Sequence, residues 1–175
     1  MANESAVLQD VFIKFSSDKL KQLCDRIQDC LGRLTYEQVW TRSGEHDNSI
    51  GNLVLHLCGN VTQWIGYGVA GRADNRNRDA EFAARGDVQP SELSQRVSAV
   101  VSDAVSIIRG LDARRLAEIT EIQKYSITKF EAVYHVVEHF AQHTGQIMFA
   151  TKLLTGQDLG YYKHLAQPRH KEATP

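Results

Sequence analysis

The chain reads as an all-α protein, a four-helix bundle, on three observations. Apolar residues recur at helical spacing through four long segments. Only 3 prolines occur, which leaves those segments uninterrupted. No alternating stretch is long enough to build a sheet. Four amphipathic helices in one small domain bury their stripes against one another, which gives a bundle.

The first helix runs from Ser5 to Leu31, with Leu8, Val11, Phe12, Phe15, Leu20, Leu23, Ile27, Cys30 and Leu31 on its apolar side. Its periodicity is disturbed at Ser16–Ser17. "LTYEQVW" follows as a short helical turn, and "TRSGEHDN" is loop by composition. Asn48 or Ser49 caps the second helix, "SIGNLVLHLCGNVTQWIGYGV", which stops before Gly71. Residues 71–90, "GRADNRNRDAEFAARGDVQP", lack periodicity and read as a long polar connection, of a length that is often functional or mobile. Ser91 caps the third helix, whose apolar side holds Leu93, Val97, Val100, Val101, Ala104, Ile108 and Leu111. "ITEIQKYSIT" has extended character but is too short and isolated for a sheet. Thr128 and Glu131 form a capping-box pattern at the start of the fourth helix, and Gly156 stands at its end. Residues 1–166 are expected to form one domain, with 167–175 as a flexible tail.

At 175 residues the chain can bury a sizeable core without staples. A hydrophobic fraction of 42% and a charged fraction of 23% describe a globular protein rather than a disordered one. The net charge is -1 and the basic residues are scattered, so no nucleic acid or acidic membrane is expected as a partner. No apolar run is long enough to span a bilayer. "MANESAVLQD" lacks the basic and apolar regions of a signal peptide. Cys24, Cys30 and Cys58 are odd in number and show no CxxC spacing, which fits free thiols in a reducing cytoplasm.

The chemistry lies in "EAVYHVVEHFAQHTGQIMFA", residues 131–150. His135, His139 and His143 are spaced by four and four again. Each step advances about 40° beyond a full turn, so the three span about 80° of one face. That face also carries Val136, Phe140 and Ile147, and burying unpaired imidazoles there has a desolvation cost. The second helix offers His56 on an equally apolar segment. A histidine pair at i and i+4 plus one from a facing helix makes a three-nitrogen metal site of the kind bundles build. Neutral imidazoles suit Zn, Ni, Fe or Cu and leave a position open. A polar groove or a pH-sensitive interface is the alternative. Spacing alone does not separate the 135/139 pair from the 139/143 pair. His46, His164 and His170 read as surface residues.

"HVVEH" also matches the H-x-x-E-H pattern of an inverted zinc peptidase, with Glu138 as base. That family recruits a further acidic ligand far downstream. After His143 the only acidic residues are Asp158 and Glu172, close to the end, so the peptidase reading is set aside. Gly66, Gly68 and Gly71 follow no strand and make no dinucleotide fingerprint. Cys58 points roughly opposite His56 and counts as core. The arginines of residues 72 to 85 read as a solvated loop, with gating of the site or holding an anionic substrate as the functional alternative.

Together, "NSIGNLVLHLCGN" and "HVVEHFAQHTGQI" in a four-helix chain resemble the DinB/YfiT-like superfamily, closest to a branch without an assigned function. The resemblance covers nearly the whole chain, through "GQDLGYYKHL". It implies an up-down-down-up four-helix bundle, often dimeric, with a divalent metal bound by three histidines. Those ligands fall on His56, His139 and His143. His135 takes a position that is commonly histidine without being a required ligand. Some DinB-like proteins are thiol S-transferases or isomerases acting on a low-molecular-weight thiol, which the metal, Zn or Ni, would bind as thiolate. The expectation is therefore a metal-dependent thiol S-transferase or a related enzyme, with Glu138 and Gln146 as candidate polar or acid–base neighbours. A metal-dependent hydrolase and a non-catalytic, stress-associated metal-binding dimer are the alternatives. A symmetric homodimer is also expected, because Val100, Val101 and Val105 spread over more than one face of the third helix.

Overall fold

The computed structural model describes residues 2–86 and 88–166. The expected tail at 167–175, with His170, lies outside them. Four long helices dominate: α1 (Ala2–Gly32), α3 (Ile50–Val61), α5 (Pro90–Arg109) and α7 (Lys129–Thr155). Short helices α2 (Tyr36–Trp40), α4 (Arg78–Ala83) and α6 (Ala113–Leu116) lie in the connections. α1 and α3 each pack against both α5 and α7, so they occupy opposite corners of the bundle. Leu20, Ile27, Leu57, Leu93, Ile108, Phe140 and Ile147 are among the fully buried side chains of the shared core.

The caps show how the sequence starts these helices. Ser49 and Asn52 form a reciprocal capping box on α3, as Thr128 and Glu131 do on α7. Gly156 ends α7 with φ 66°, a left-handed conformation that costs glycine little. α5 departs from expectation. Gln89 is its N-cap, without a side-chain bond, and Pro90 opens the helix ahead of Ser91. Proline has no N–H to leave unsatisfied there, and its φ is already helical. α1 runs through Ser16 and Ser17, both buried, without a break.

Two further features were not expected. α3 continues into a π-helical stretch, Thr62–Val69, whose wider turns change the register of the face it presents. The segment before α7 also pairs with itself. β1 (Ile119–Ile122) and β2 (Tyr125–Thr128) form an antiparallel hairpin with Ile122 opposite Tyr125 and Ile119 opposite Thr128. Its two-residue turn, Gln123–Lys124, takes positive φ at both positions (51° and 71°), as a primed turn requires. The hairpin survives because it is docked on the π-helical stretch. Thr120 Oγ1 donates to the Gly68 carbonyl at 2.7 Å, and Ile122 is buried over Gly68. A Cβ on Gly68 would stand 2.2 Å from Ile122 Cδ1.

The helix-three valines behave differently from the dimer argument. Val101 and Val105 are buried in the bundle's own core and Val100 packs against it. The exposed large apolar side chains include Val7, Leu8, Val11 and Phe15 on α1, Phe130 and Tyr134 at the start of α7, Phe149 and Leu153 near its end, and Ile119 and Tyr125 on the hairpin. Among the described residues, no helix is long and apolar enough to cross a membrane.

The docked hairpin gives a direct expectation for stability. Ile122→Ala should cost about 2–4 kcal/mol in urea denaturation, as for other buried isoleucines. Ile119→Ala, on the exposed end of the same strand, should cost less than about 0.5 kcal/mol. Equal effects would mean that the hairpin is not held by Ile122.

Candidate metal centre

Two stripes face each other across the α3–α7 contact. α3 and its π-helical extension contribute His56, Asn60 and Trp64; α7 contributes His143, His139 and His135. His56 lies against His139 and His143, with ring centroids 5.0 and 5.1 Å away, and Trp64 lies on His135 at 3.8 Å. Residue numbers rise along one stripe as they fall along the other, so these two helices run antiparallel here. Each residue is one helical turn from the next, which is why a four-residue spacing suffices on both sides.

Three ring nitrogens converge. His56 Nε2 and His143 Nε2 each stand 3.2 Å from His139 Nε2. The three ligating atoms lie within 4.8 Å of one another. His56 Nδ1 is 2.9 Å from Glu81 Oε2, and a carboxylate only accepts, so His56 donates from Nδ1 and keeps a lone pair at Nε2. Arg76 Nη2 also lies 3.1 Å from His56 Nδ1, but it donates to Glu81 Oε2 at 2.9 Å, which leaves the shorter Nδ1–carboxylate contact to set the His56 tautomer. His143 Nδ1 is 2.6 Å from Gln146 Oε1 and has the same tautomer. His139 Nδ1 is buried without a partner among the described residues. A proton on His139 Nε2 could serve one neighbour at a time. The lone pair of the other neighbour would then have no hydrogen to accept.

A cation at the centre would resolve this. Two nitrogens bound at 2.0–2.1 Å to a tetrahedral ion are about 3.3 Å apart, close to the 3.2 Å that separates His139 Nε2 from each of its two neighbours. The donor set therefore fits a divalent transition ion. Glu81 behind His56 supplies the carboxylate–histidine arrangement that holds such ligands in place.

The connection between α3 and α5 builds that support. Asn52 Nδ2 donates to the Glu81 and Ala84 carbonyls at 2.9 and 3.0 Å, and Arg42 reaches Asn52 Oδ1 and the Phe82 carbonyl. These bonds pin α4 onto α3. Gly59 leaves room for the Glu81 carboxylate, since a Cβ there would be 1.9 Å from Oε1. Arg76 grips that carboxylate with two nitrogens, at 2.8 and 2.9 Å, with its side chain 4% exposed. It also donates to Gln63 Oε1.

Burial disfavours protonation of the α7 imidazoles. Burial pushes the His139 pKa down to about 3, with His143 and His56 adding to the effect. Burial also lowers His143, partly offset by its bond to Gln146, and lowers His135, partly offset by Glu138. Burial alone would raise the Glu81 carboxyl. Its bonds to Arg76 and His56 outweigh that and hold it below the ordinary value.

The expected residues separate clearly. His56, His139 and His143 come together, and His135 stands beside them against Trp64. Gln146 supports His143. Glu138 is exposed and stands outside the histidine group, so it does not serve as the base of a peptidase-like site. His46 is exposed, and Cys24, Cys30 and Cys58 are free thiols, Cys58 with its pKa raised by burial to about 12. Arg76 and Glu81 correct the solvated-loop reading of residues 72 to 85. The available signal was Asn77 followed by Asp79 and Glu81, the N-cap and acidic first turn of α4.

The sequence matches the family described as "Protein of unknown function (DUF1572)" over residues 7–171. The chain belongs to the DUF1572 family. The structure of this DUF1572 protein is similar to that of a conserved protein from Enterococcus faecalis, with TM-score 0.68 and 16% identity over 82% of this chain and 97% of that one. It is also similar to YjoA, a DinB-like protein from Bacillus subtilis, with TM-score 0.63 and 13% identity over 86% of this chain and 96% of that one. At these identities the likeness establishes the fold, which is DinB-like. No curated protein matches the chain.

Two outcomes follow for this DUF1572 member. Glu81→Gln, which keeps the shape but removes the carboxylate, should weaken metal binding about 10–100-fold in a competitive chelator titration. Unchanged affinity would mean that Glu81 does not support His56. The metal-free protein should also be acid-sensitive. His139 takes up its proton near pH 6.5 when unfolded but only near 3 when folded. The unfolded chain therefore binds more protons between those values, and stability falls as pH is lowered through the interval. The thermal midpoint should drop from pH 7 to pH 5 and drop less in His139→Gln; identical slopes would contradict the assignment.

Proposed function

We propose that this DUF1572 protein is a metal-dependent thiol S-transferase, or a catalyst of a closely related reaction, at an open three-histidine site. The observation that supports this most is the cavity beside the histidines. Among the described residues, no fourth histidine, cysteine or carboxylate joins His56, His139 and His143. A cavity of about 410 Å³ opens there instead, lined by His56 and His139 together with Tyr125 and Ile127 of the hairpin. A structural site would be closed by a fourth protein ligand, whereas a catalytic one keeps a position for substrate.

Zn or Ni is the ion of this reading, and when bound it would hold a small thiol as the thiolate and lower its pKa. The chain's own residues do the rest. Glu81 and Gln146 fix the tautomers of His56 and His143, so that both direct lone pairs inward. His135, Trp64 and the hairpin residues Gln123, Tyr125 and Ile127 line the cavity beside the ion position. The reading includes the up-down-down-up order of the four long helices and a symmetric homodimer, for which exposed apolar side chains such as those of α1 offer a surface.

Protein stripped and resupplied with Zn or Ni should carry about one ion per chain. His139→Ala should lose that ion and His46→Ala should keep it. Only the loaded wild type should then accelerate conjugation of small thiols to electrophiles. Equal metal content in both variants, or a loaded protein inert toward every thiol, would refute the reading.

A further inference from the structure

The charges around the cavity do not balance once a divalent ion is present. Two cationic side chains line it, Arg76 and Arg78, and one anionic one, Glu131. Arg76 is already committed to the buried Glu81 carboxylate. Glu131 accepts from the Thr128 backbone N–H and hydroxyl at 2.7 and 2.6 Å, bonds that keep it ionised as the cap of α7. Arg76 and Arg78 against Glu81 and Glu131 sum to zero, and an imidazole that holds an ion through its lone pair is a neutral ligand. A divalent ion therefore brings two positive charges that no side chain of the cavity offsets. Leaving them uncompensated in a partly enclosed site is costly.

Of the two cationic side chains, Arg78 is the exposed one and has no charged partner among the described residues. Its guanidinium lies 5.0 Å over the Phe82 ring, and Phe82 in turn stands 4.8 Å from His56. It makes no ion pair among the described residues, whereas Arg76, two positions earlier, makes a bidentate one. Two buried polar atoms of the lining also have no partner among the described residues: Asn60 Oδ1 and Trp64 Nε1, on residues that are each 4% exposed. The cavity thus combines an open ion position, an unpaired guanidinium one ring away, and an unused acceptor and donor between the walls.

We infer that the ligand is a dianion of particular layout: a thiolate for the ion and a second anionic group, a carboxylate, for Arg78. This rests on the thiol reading above and makes Arg78 the residue that selects among thiols. The guanidinium forks onto a carboxylate with two parallel bonds, and stacking on Phe82 holds its plane. The two negative charges of the ligand then cancel the two of the ion.

Three small thiols of similar size separate the possibilities: 3-mercaptopropionate, neutral 2-mercaptoethanol and cationic cysteamine. Each is titrated into cobalt-loaded protein and followed by the thiolate-to-metal absorption band. The acid should bind roughly tenfold or more tightly than the neutral thiol, and cysteamine most weakly. Arg78→Gln should abolish the preference while leaving 2-mercaptoethanol unchanged, and Arg78→Lys should restore part of it. Equal affinities in the wild type, or a preference that survives in Arg78→Gln, overturn the anion subsite and leave the metal–thiolate reading standing. A cobalt-loaded protein that shows no band with any thiol overturns both.

Discussion

The hydrogen bond from His56 Nδ1 to Glu81 decides what the centre can be. It commits the only His56 proton to the outside of the site, so that Nε2 faces His139 and His143 as a lone pair. Without the carboxylate, the imidazole could turn its N–H inward and satisfy His139 instead. The cluster would then be an ordinary hydrogen-bonded core patch. The tautomer is thus set 25 residues away in sequence, from a helix of one and a half turns in a connection between bundle helices.

That carboxylate would be a liability in the interior by itself. Arg76 compensates it with a planar, bidentate contact, and the pair is further tied to Gln63 and to the backbone around α4. Such pairs do little for net stability, since desolvation offsets most of their attraction, but losing one partner leaves a buried charge exposed to the full penalty. The architecture follows from this. α4 must be pinned tightly, which Asn52 and Arg42 do, and α3 must offer a glycine where the carboxylate passes, which Gly59 does. The hairpin then lines the cavity because Gly68 admits Ile122.

Much of this was legible in the sequence. Long helices announce themselves through a 3.6-residue period, and the histidine stripe of α7 lies on one face for the same reason. Ser49, Thr128 and Gly156 act locally and were readable where they stand. The choice of His139 and His143 over His135 and His139 was not, because it depends on where His56 meets α7. Arg76 and Glu81 were hidden for another reason. Their segment has no hydrophobic period, since it is held by polar bonds to α3 rather than by an apolar stripe. The hairpin was missed because Gln123–Lys124 is not a typical primed-turn pair, and its stability comes from docking on the π-helical stretch. The apolar face of α1 was misread in the opposite sense: Val11 and Phe15 keep helical period yet face outward.

The central claim is that three imidazoles hold one divalent ion and leave a position open to the cavity. X-ray absorption fine structure of zinc-loaded protein, with and without a small thiol, measures this directly. The account predicts three nitrogen scatterers at about 2.0–2.1 Å plus one lighter ligand, replaced on thiol addition by a single sulfur at about 2.3 Å. A shell of four protein ligands that thiol leaves unchanged would contradict it.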